Sequence, residues 1–250
     1  MHRFFIDEKN SKDEIVTICN KDYKHISKSL RLETGDKIIA CTGDGYDLIV
    51  ELRDFSKNEV KGKILERKKS DTEPQADITI AQAIPKSRNM ELIVQKTTEI
   101  GVNRIIPLST KRTIVKLKGK KKKKRINRWQ RIAEEAAKQS QRGIIPEVSD
   151  IFTLRSLKTI KDDFDLIVAL WASEKQKSIS SLLNNYNFKK GKRVLVIIGP
   201  EGGFSENEIN LIEDELNGIP VSLGPRILRT ETAPIVALST VLYEFGDLGG

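Results

Sequence analysis

Apolar and polar positions change rhythm near residue 75. Before it, apolar residues come in short, nearly alternating runs, the period of strands with one buried face. Lys37 to Cys41 and Tyr46 to Leu52 flank Gly43-Asp44-Gly45, which reads as a hairpin, and Val60 to Leu65 continues the pattern. Tyr23 to Leu32 suits a short helix, ended by Thr34-Gly35-Asp36. Short strands with close turns predict a small barrel over residues 1–70. Glu66 to Gln75 is polar and contains proline, so it reads as a linker.

From residue 76 strands and helices alternate, which predicts an α/β domain over residues 71–250. Asp77 to Ala83 and Arg104 to Leu108 read as strands. Between them Met90, Ile93, Val94, Thr97 and Ile100 recur at helical spacing, and Gly101 supplies a left-handed stop. A helix is expected from about Ile126 to Gln141, with Trp129, Ile132, Ala133, Ala136 and Ala137 facing inward. Asp165 to Trp171 and Val194 to Ile198 are continuous apolar runs, as in parallel strands covered on both faces. Ser205 with Glu208 forms a capping box opening a further helix. The last helix, Ala233 to Phe245, is apolar on more than one face, so it is expected to be buried, with a subunit interface as one cover.

Charge adds a second division. The net charge of +9 is concentrated: Lys111 to Arg131 carries twelve basic residues and no acidic one. The rest of the chain is close to neutral. Such a segment favours a polyanion, since clustered charges release the counterions of the same phosphates; the plain alternative is a solvated loop. Two distant cysteines, Cys19 and Cys41, argue against a disulfide framework or a zinc site, and no group has metal-ligand spacing. No run approaches the ~20 apolar residues of a membrane span, and the N-terminus lacks a signal-peptide core, so a cytoplasmic protein is expected.

The candidate chemistry lies in two loops, each after a short apolar strand. The first is Gly199-Pro200-Glu201-Gly202-Gly203; the second runs from Gly224-Pro225-Arg226 through Arg229, Glu231 and Pro234. Their glycines permit close backbone approach to a ligand, and the loops can share one crevice at the carboxyl ends of a parallel sheet. Neither is a Walker loop nor a dinucleotide fingerprint, because Gly-Lys-Ser/Thr is absent and proline interrupts the glycine spacing. Glu201 between Pro200 and Gly202 suggests a cationic or hydroxyl-bearing ligand. Arg226 and Arg229 suit phosphate or a planar anion; the bland alternative for Arg229 and Glu231 is a surface ion pair. His2 and His25 are too few for a histidine-based triad.

These two loops together resemble those of the SPOUT superfamily of RNA methyltransferases. More closely, the chain resembles the RsmE family, which methylates uridine N3 in 16S ribosomal RNA of the small subunit. The likeness also covers His2 to Phe5, His25-Ile26, Leu30 to Leu32, Pro85-Lys86, Gln95 to Gly101 and Ala136 to Ser140 with Arg142 and Pro146. Two positions depart from the pattern: Lys138, where an acidic residue is usual, and Gln141, where glycine is usual.

The resemblance implies a PUA-like RNA-binding barrel followed by a trefoil-knotted parallel-sheet domain acting as a homodimer with S-adenosyl-L-methionine. It implies cofactor contacts from Leu170, Trp171, Ile198, Gly199, Pro200, Glu201, Gly202, Leu223, Gly224, Ile227, Leu228, Thr232 and Ala233. Arg229, Glu231 and Arg142 become candidate catalytic groups. Arg3, His25, Arg31, Lys86, Arg112, Lys122, Arg125 and Arg226 become candidate RNA contacts. Two further readings stay open at this level, a non-catalytic RNA-binding assembly factor and a related enzyme acting on transfer RNA.

Overall fold

The computed structural model describes residues 1–7, 10–12, 14–186 and 191–249. Contacts divide the chain into two compact units, Met1–Glu73 with Ala137–Ile145, and Pro74–Ala136 with Pro146–Gly250. The return of Ala137–Ile145 to the first unit is a feature that a linear division of the sequence does not contain.

In the first unit β1 (Arg3–Phe5), β2 (Ser11–Lys12), β3 (Ile15–Cys19), β4 (Lys37–Cys41), β5 (Tyr46–Phe55) and β6 (Glu59–Lys69) form one sheet in the order β1-β4-β5-β6-β3-β2. Only β1–β4 is parallel. Helix α1 (Asn20–Lys24) passes directly into a π-helical turn, His25–Leu30. Phe4, Val16, Ile26, Ile38, Val50 and Val60 belong to its core. The expected linker is partly strand: residues 66–69 pair with Tyr46–Ile49. Glu73, further along it, accepts the backbone N–H of Gly143 at 2.8 Å and of Ile144 at 3.1 Å, and binds the Arg142 guanidinium at 2.7 Å.

The second unit contains β7 (Asp77–Ala83), α2 (Asn89–Ile100), β8 (Arg104–Ser109), α3 (Gly119–Gln139), β9 (Glu147–Val148), β10 (Phe152–Thr153), β11 (Leu166–Leu170), α4 (Ile179–Asn184), β12 (Arg193–Ile198), α5 (Glu206–Leu216), β13 (Ile219–Val221) and α6 (Thr232–Glu244). Helix α3 ends within the residues grouped with the first unit. The strands form an all-parallel sheet in the order β10-β8-β7-β12-β11-β13, with β9 on β8. Alternate residues of one strand enter different cores: Ile78, Ile80, Val194 and Val196 pack with α6, whereas Ala81, Ala83, Leu195 and Ile197 pack with α5. This accounts for the continuous apolar runs. Helix α3 begins at Gly119, so the lysine run is helical rather than the loop that precedes an expected start near Ile126.

The C-terminus of α3 explains a departure in the sequence. Arg142 N–H donates to Ala137 O at 3.0 Å, and Gln141 has φ of 58°. This left-handed turn is the place a helix reserves for glycine. Lys138 pairs with Asp22 at 3.5 Å.

Candidate functional site

Strand order fixes where a crevice can form. From β7 the chain crosses to β8 on one side and later fills β12, β11 and β13 on the other, so the order reverses between β7 and β12. Ligands of open α/β sheets bind outside the carboxyl ends of strands at such a switch. A crevice of about 640 Å³ lies there, walled by the loops after β11, β12 and β13, with Asn89 and Arg112 also at its wall.

The β12 loop is shaped by its backbone. Gly203, at φ of 65°, donates its N–H to Pro200 O at 2.8 Å. The capping box closes behind it, with the Ser205 N–H donating to Glu208 at 2.9 Å. The other Glu208 oxygen accepts from Lys111 N–H at 2.8 Å, and Arg112 donates to Gly202 O. A Cβ on Gly199 would sit 3.3 Å from the Phe204 ring, and one on Gly202 3.3 Å from the Arg112 side chain. The β13 loop turns at Gly224, whose φ of 116° other residues rarely adopt. Beyond β11, Glu174 accepts the N–H groups of Gln176 at 2.6 Å and Lys177 at 3.1 Å, which hold its carboxyl below the usual carboxylate range.

Four hydrogen bonds tie these loops to each other and to β7, the segment after it and the start of α2. Gln82, fully buried in β7, donates to Thr230 at 3.2 Å, and Thr230 donates to Gly199 O at 3.1 Å. The backbone N–H of Lys86 donates to Glu201 at 2.8 Å, and Asn89 donates to Glu231 at 3.0 Å. Glu201 therefore has a structural partner, and its place between Pro200 and Gly202 does not by itself require a ligand. The Arg229 side chain is 86% exposed at the crevice, 3.9 Å from Glu231. An exposed pair of that length contributes little to stability, and the arginine can turn toward a ligand.

An RNA methyltransferase domain model matches residues 71–242, and an RNA methyltransferase PUA domain model matches residues 18–65. Ribosomal RNA small subunit methyltransferase E of Bacillus subtilis is 39% identical, over 100% of this chain and 99% of that protein. The chain belongs to the ribosomal RNA small subunit methyltransferase E family. The same-named protein of Mesomycoplasma hyopneumoniae is 35% identical over 98% of this chain and 100% of its own. The crystal structure of the Neisseria gonorrhoeae methyltransferase E bound to S-adenosyl methionine superposes with a TM-score of 0.83, at 30% identity over 97% of each chain. The fold is thus the α/β methyltransferase fold of this family preceded by a PUA domain.

Within this family member, the expected cofactor residues Leu170, Trp171, Ile198, Gly199, Pro200, Glu201, Gly202, Leu223, Gly224, Ile227, Leu228 and Ala233 all line the crevice, as do Arg112, Arg226, Arg229 and Glu231. Thr232 does not; it opens α6 and donates its N–H to Arg229 O at 2.9 Å. Arg142 is placed otherwise. It lies in the first unit, its side chain 2% exposed and paired with Glu73. The Arg3 side chain is likewise buried, with a forked pair to Asp47 at 2.7 and 2.8 Å. His25 is exposed and meets the Phe4 ring edge-on at 5.9 Å; Arg31 is exposed. Lys122 pairs with Asp150 and Arg125 with Glu91.

Sequence reasoning missed Gln82, Asn89 and Thr230. Gln82 carried a signal, a polar residue in an otherwise largely apolar central strand. Asn89 and Thr230 carried none, since Glu231 lies 142 residues from Asn89, and Gln82 and Gly199 lie 148 and 31 residues from Thr230. Among the described residues no cluster has metal-ligand geometry, and no helix is long and apolar enough to cross a membrane.

Proposed function

We propose that this protein transfers a methyl group from S-adenosyl-L-methionine to N3 of a uridine in 16S ribosomal RNA of the small subunit. The observation that carries the reading is the crevice at the switch point, with two glycine-bearing loops on its walls and Arg229 and Glu231 at its edge, in a member of this methyltransferase family. Its volume suits a ligand of nucleoside-amino-acid size. Leu170, Leu223 and Leu228 offer apolar surface to a flat base, while the Gly199, Gly202 and Gly224 backbone admits close approach.

The sulfonium cofactor supplies an electrophilic methyl with its own leaving group, so the protein must supply alignment and charge stabilisation. Once uridine N3 has given its proton to solvent water, its negative charge spreads onto O2 and O4. Arg229 stabilises that charge, because a guanidinium stays protonated and presents a planar fork. Glu231, held by Asn89, orients Arg229. Lys86, Arg112 and Arg226, with His25 and Arg31 in the first unit, are the cations assigned to RNA. A cytoplasmic homodimer with a knotted C-terminal segment completes the reading; the exposed Leu92, Ile227 and Tyr243 are apolar surface for such a contact.

Single-turnover methylation by Arg229→Ala at saturating cofactor and RNA tests the role. Loss of one such donor is expected to slow transfer by ~10²–10³-fold with cofactor affinity retained. A near-normal rate would exclude Arg229.

A further inference from the structure

Helix α3 sorts its cations onto two sides. On the side near its packed residues, Lys122 binds Asp150 at 2.7 Å and Arg125 binds Glu91 of α2 at 3.4 Å, while the more exposed Arg128, on the edge of the outward side, also reaches Glu91, at 2.7 Å. Trp129 and Ala133 of this helix are buried. Lys120, Lys123, Lys124 and Arg131 lie on the outward side, at successive spacings of three, one and seven residues, together with Asn127, Arg128 and Glu135, and all seven are exposed. Among the described residues these four cations have no carboxylate partner. At ~1.5 Å of rise per residue they form a stripe roughly 16 Å long.

We propose that this outward stripe is a track for the phosphate backbone of the RNA substrate, and that the inward cations Lys122 and Arg125 fasten the helix instead. The proposal rests on the reading of the protein as an rRNA methyltransferase and adds where the nucleic acid runs beyond the crevice. Three observations support it. A row of cations that are not ion-paired, and that outnumber the one carboxylate beside them, Glu135, is complementary to a polyanion, whose condensed counterions are released on contact. The stripe is connected to the crevice through the chain, because Arg112 at the crevice wall precedes α3 by seven residues, with Lys116 and Lys118 between. Apart from Ile132, which packs against the core, the outward side carries no bulky apolar residue of the kind with which an interfacial helix enters a membrane, so RNA is favoured over a lipid surface.

The test uses the full chain and a small-subunit rRNA transcript, with affinity measured across a salt series. The variant Lys120→Gln/Lys123→Gln/Lys124→Gln/Arg131→Gln keeps good helix formers at exposed positions. If all four cations meet phosphates, the slope of log affinity against log salt is expected to flatten by about 3, at ~0.7–0.9 per lost contact. Cofactor affinity by calorimetry is expected to stay the same. Lys122→Gln/Arg125→Gln is expected to change the slope by less than ~1. An unchanged slope in the fourfold variant, or equal flattening in the inward pair, overturns the stripe while leaving the methyltransferase reading intact. Wild-type protein that binds cofactor but not the transcript overturns both. Vesicles of phosphatidylcholine and phosphatidylserine that bind the wild type but not the fourfold variant, with RNA affinity equal in the two, assign the stripe to a membrane and refute the proposal.

Discussion

Thr230→Val is a near-isosteric change that removes one hydroxyl from the centre of the site. That hydroxyl donates to Gly199 O at 3.1 Å and accepts from Gln82 Nε2 at 3.2 Å, joining the β13 loop, the β12 loop and β7. Gln82 is fully buried; among the described residues its Oε1 has no partner, and its Nε2 would keep only Ala83 O at 2.9 Å. Two lost hydrogen bonds at ~0.5–1.5 kcal/mol each put the expected cost at about 2 kcal/mol. For a chain of this size that corresponds to a fall in Tm of about 4–8 °C. Because the two loops form opposite parts of one crevice, ordering them falls to the cofactor, and its affinity is expected to drop about 5–30-fold. Replacing both partners by apolar groups removes the stranded amide. The double variant Gln82→Leu/Thr230→Val is therefore expected to be less destabilised than the sum of the singles, by about 1 kcal/mol. Denaturant unfolding and calorimetric titration give the numbers. Strict additivity together with unchanged cofactor affinity would refute the idea that this bridge organises the site.

Three further outcomes are expected. Glu73→Ala removes the ion-pair partner of the buried Arg142 side chain and the acceptor of two backbone N–H groups, so it should cost about 3–5 kcal/mol in denaturant unfolding, and Glu73→Gln less. Gln141→Gly should be neutral or stabilising by up to ~1 kcal/mol, whereas Gln141→Val should destabilise by about 1–2 kcal/mol, because φ of 58° suits only the former. Burial pushes the Cys41 thiol up to about 12, so at pH 8.5 iodoacetamide should label Cys19 in native protein and reach Cys41 only after unfolding. Since the folded state keeps a proton that the unfolded thiol loses above ~8.5, this stabilisation should fall as pH rises from about 8.5 toward 12, lowering the denaturant midpoint.

Much of the second unit was legible because its physics is local. Val194 to Ile198 is apolar at every position since both faces of β12 are covered, and Ser205 with Glu208 marks the start of α5 within four residues. The glycines of the two loops were visible for the same reason. The functions of single polar side chains were less legible where partners are remote. Nothing near Arg142 announced Glu73, and nothing near Glu201 announced the Lys86 N–H. The lysine run misled because like charges oppose a helix locally. The α3 start is supported by inward Leu117 and Ile126, which pack against the core, and by Asp150 opposite Lys122. Helix α4 escaped notice because it is only six residues long.

The central claim is tested most directly by one assay. The purified chain is incubated with methyl-labelled S-adenosyl-L-methionine and small-subunit rRNA from a strain lacking the enzyme, and the RNA is then digested to nucleosides for mass spectrometry. The expected result is about one labelled methyl per rRNA molecule, recovered as 3-methyluridine, and no labelling in Arg229→Ala on the same timescale. Label on another nucleoside or on transfer RNA alone, or cofactor bound with no transfer to any RNA, would contradict the account.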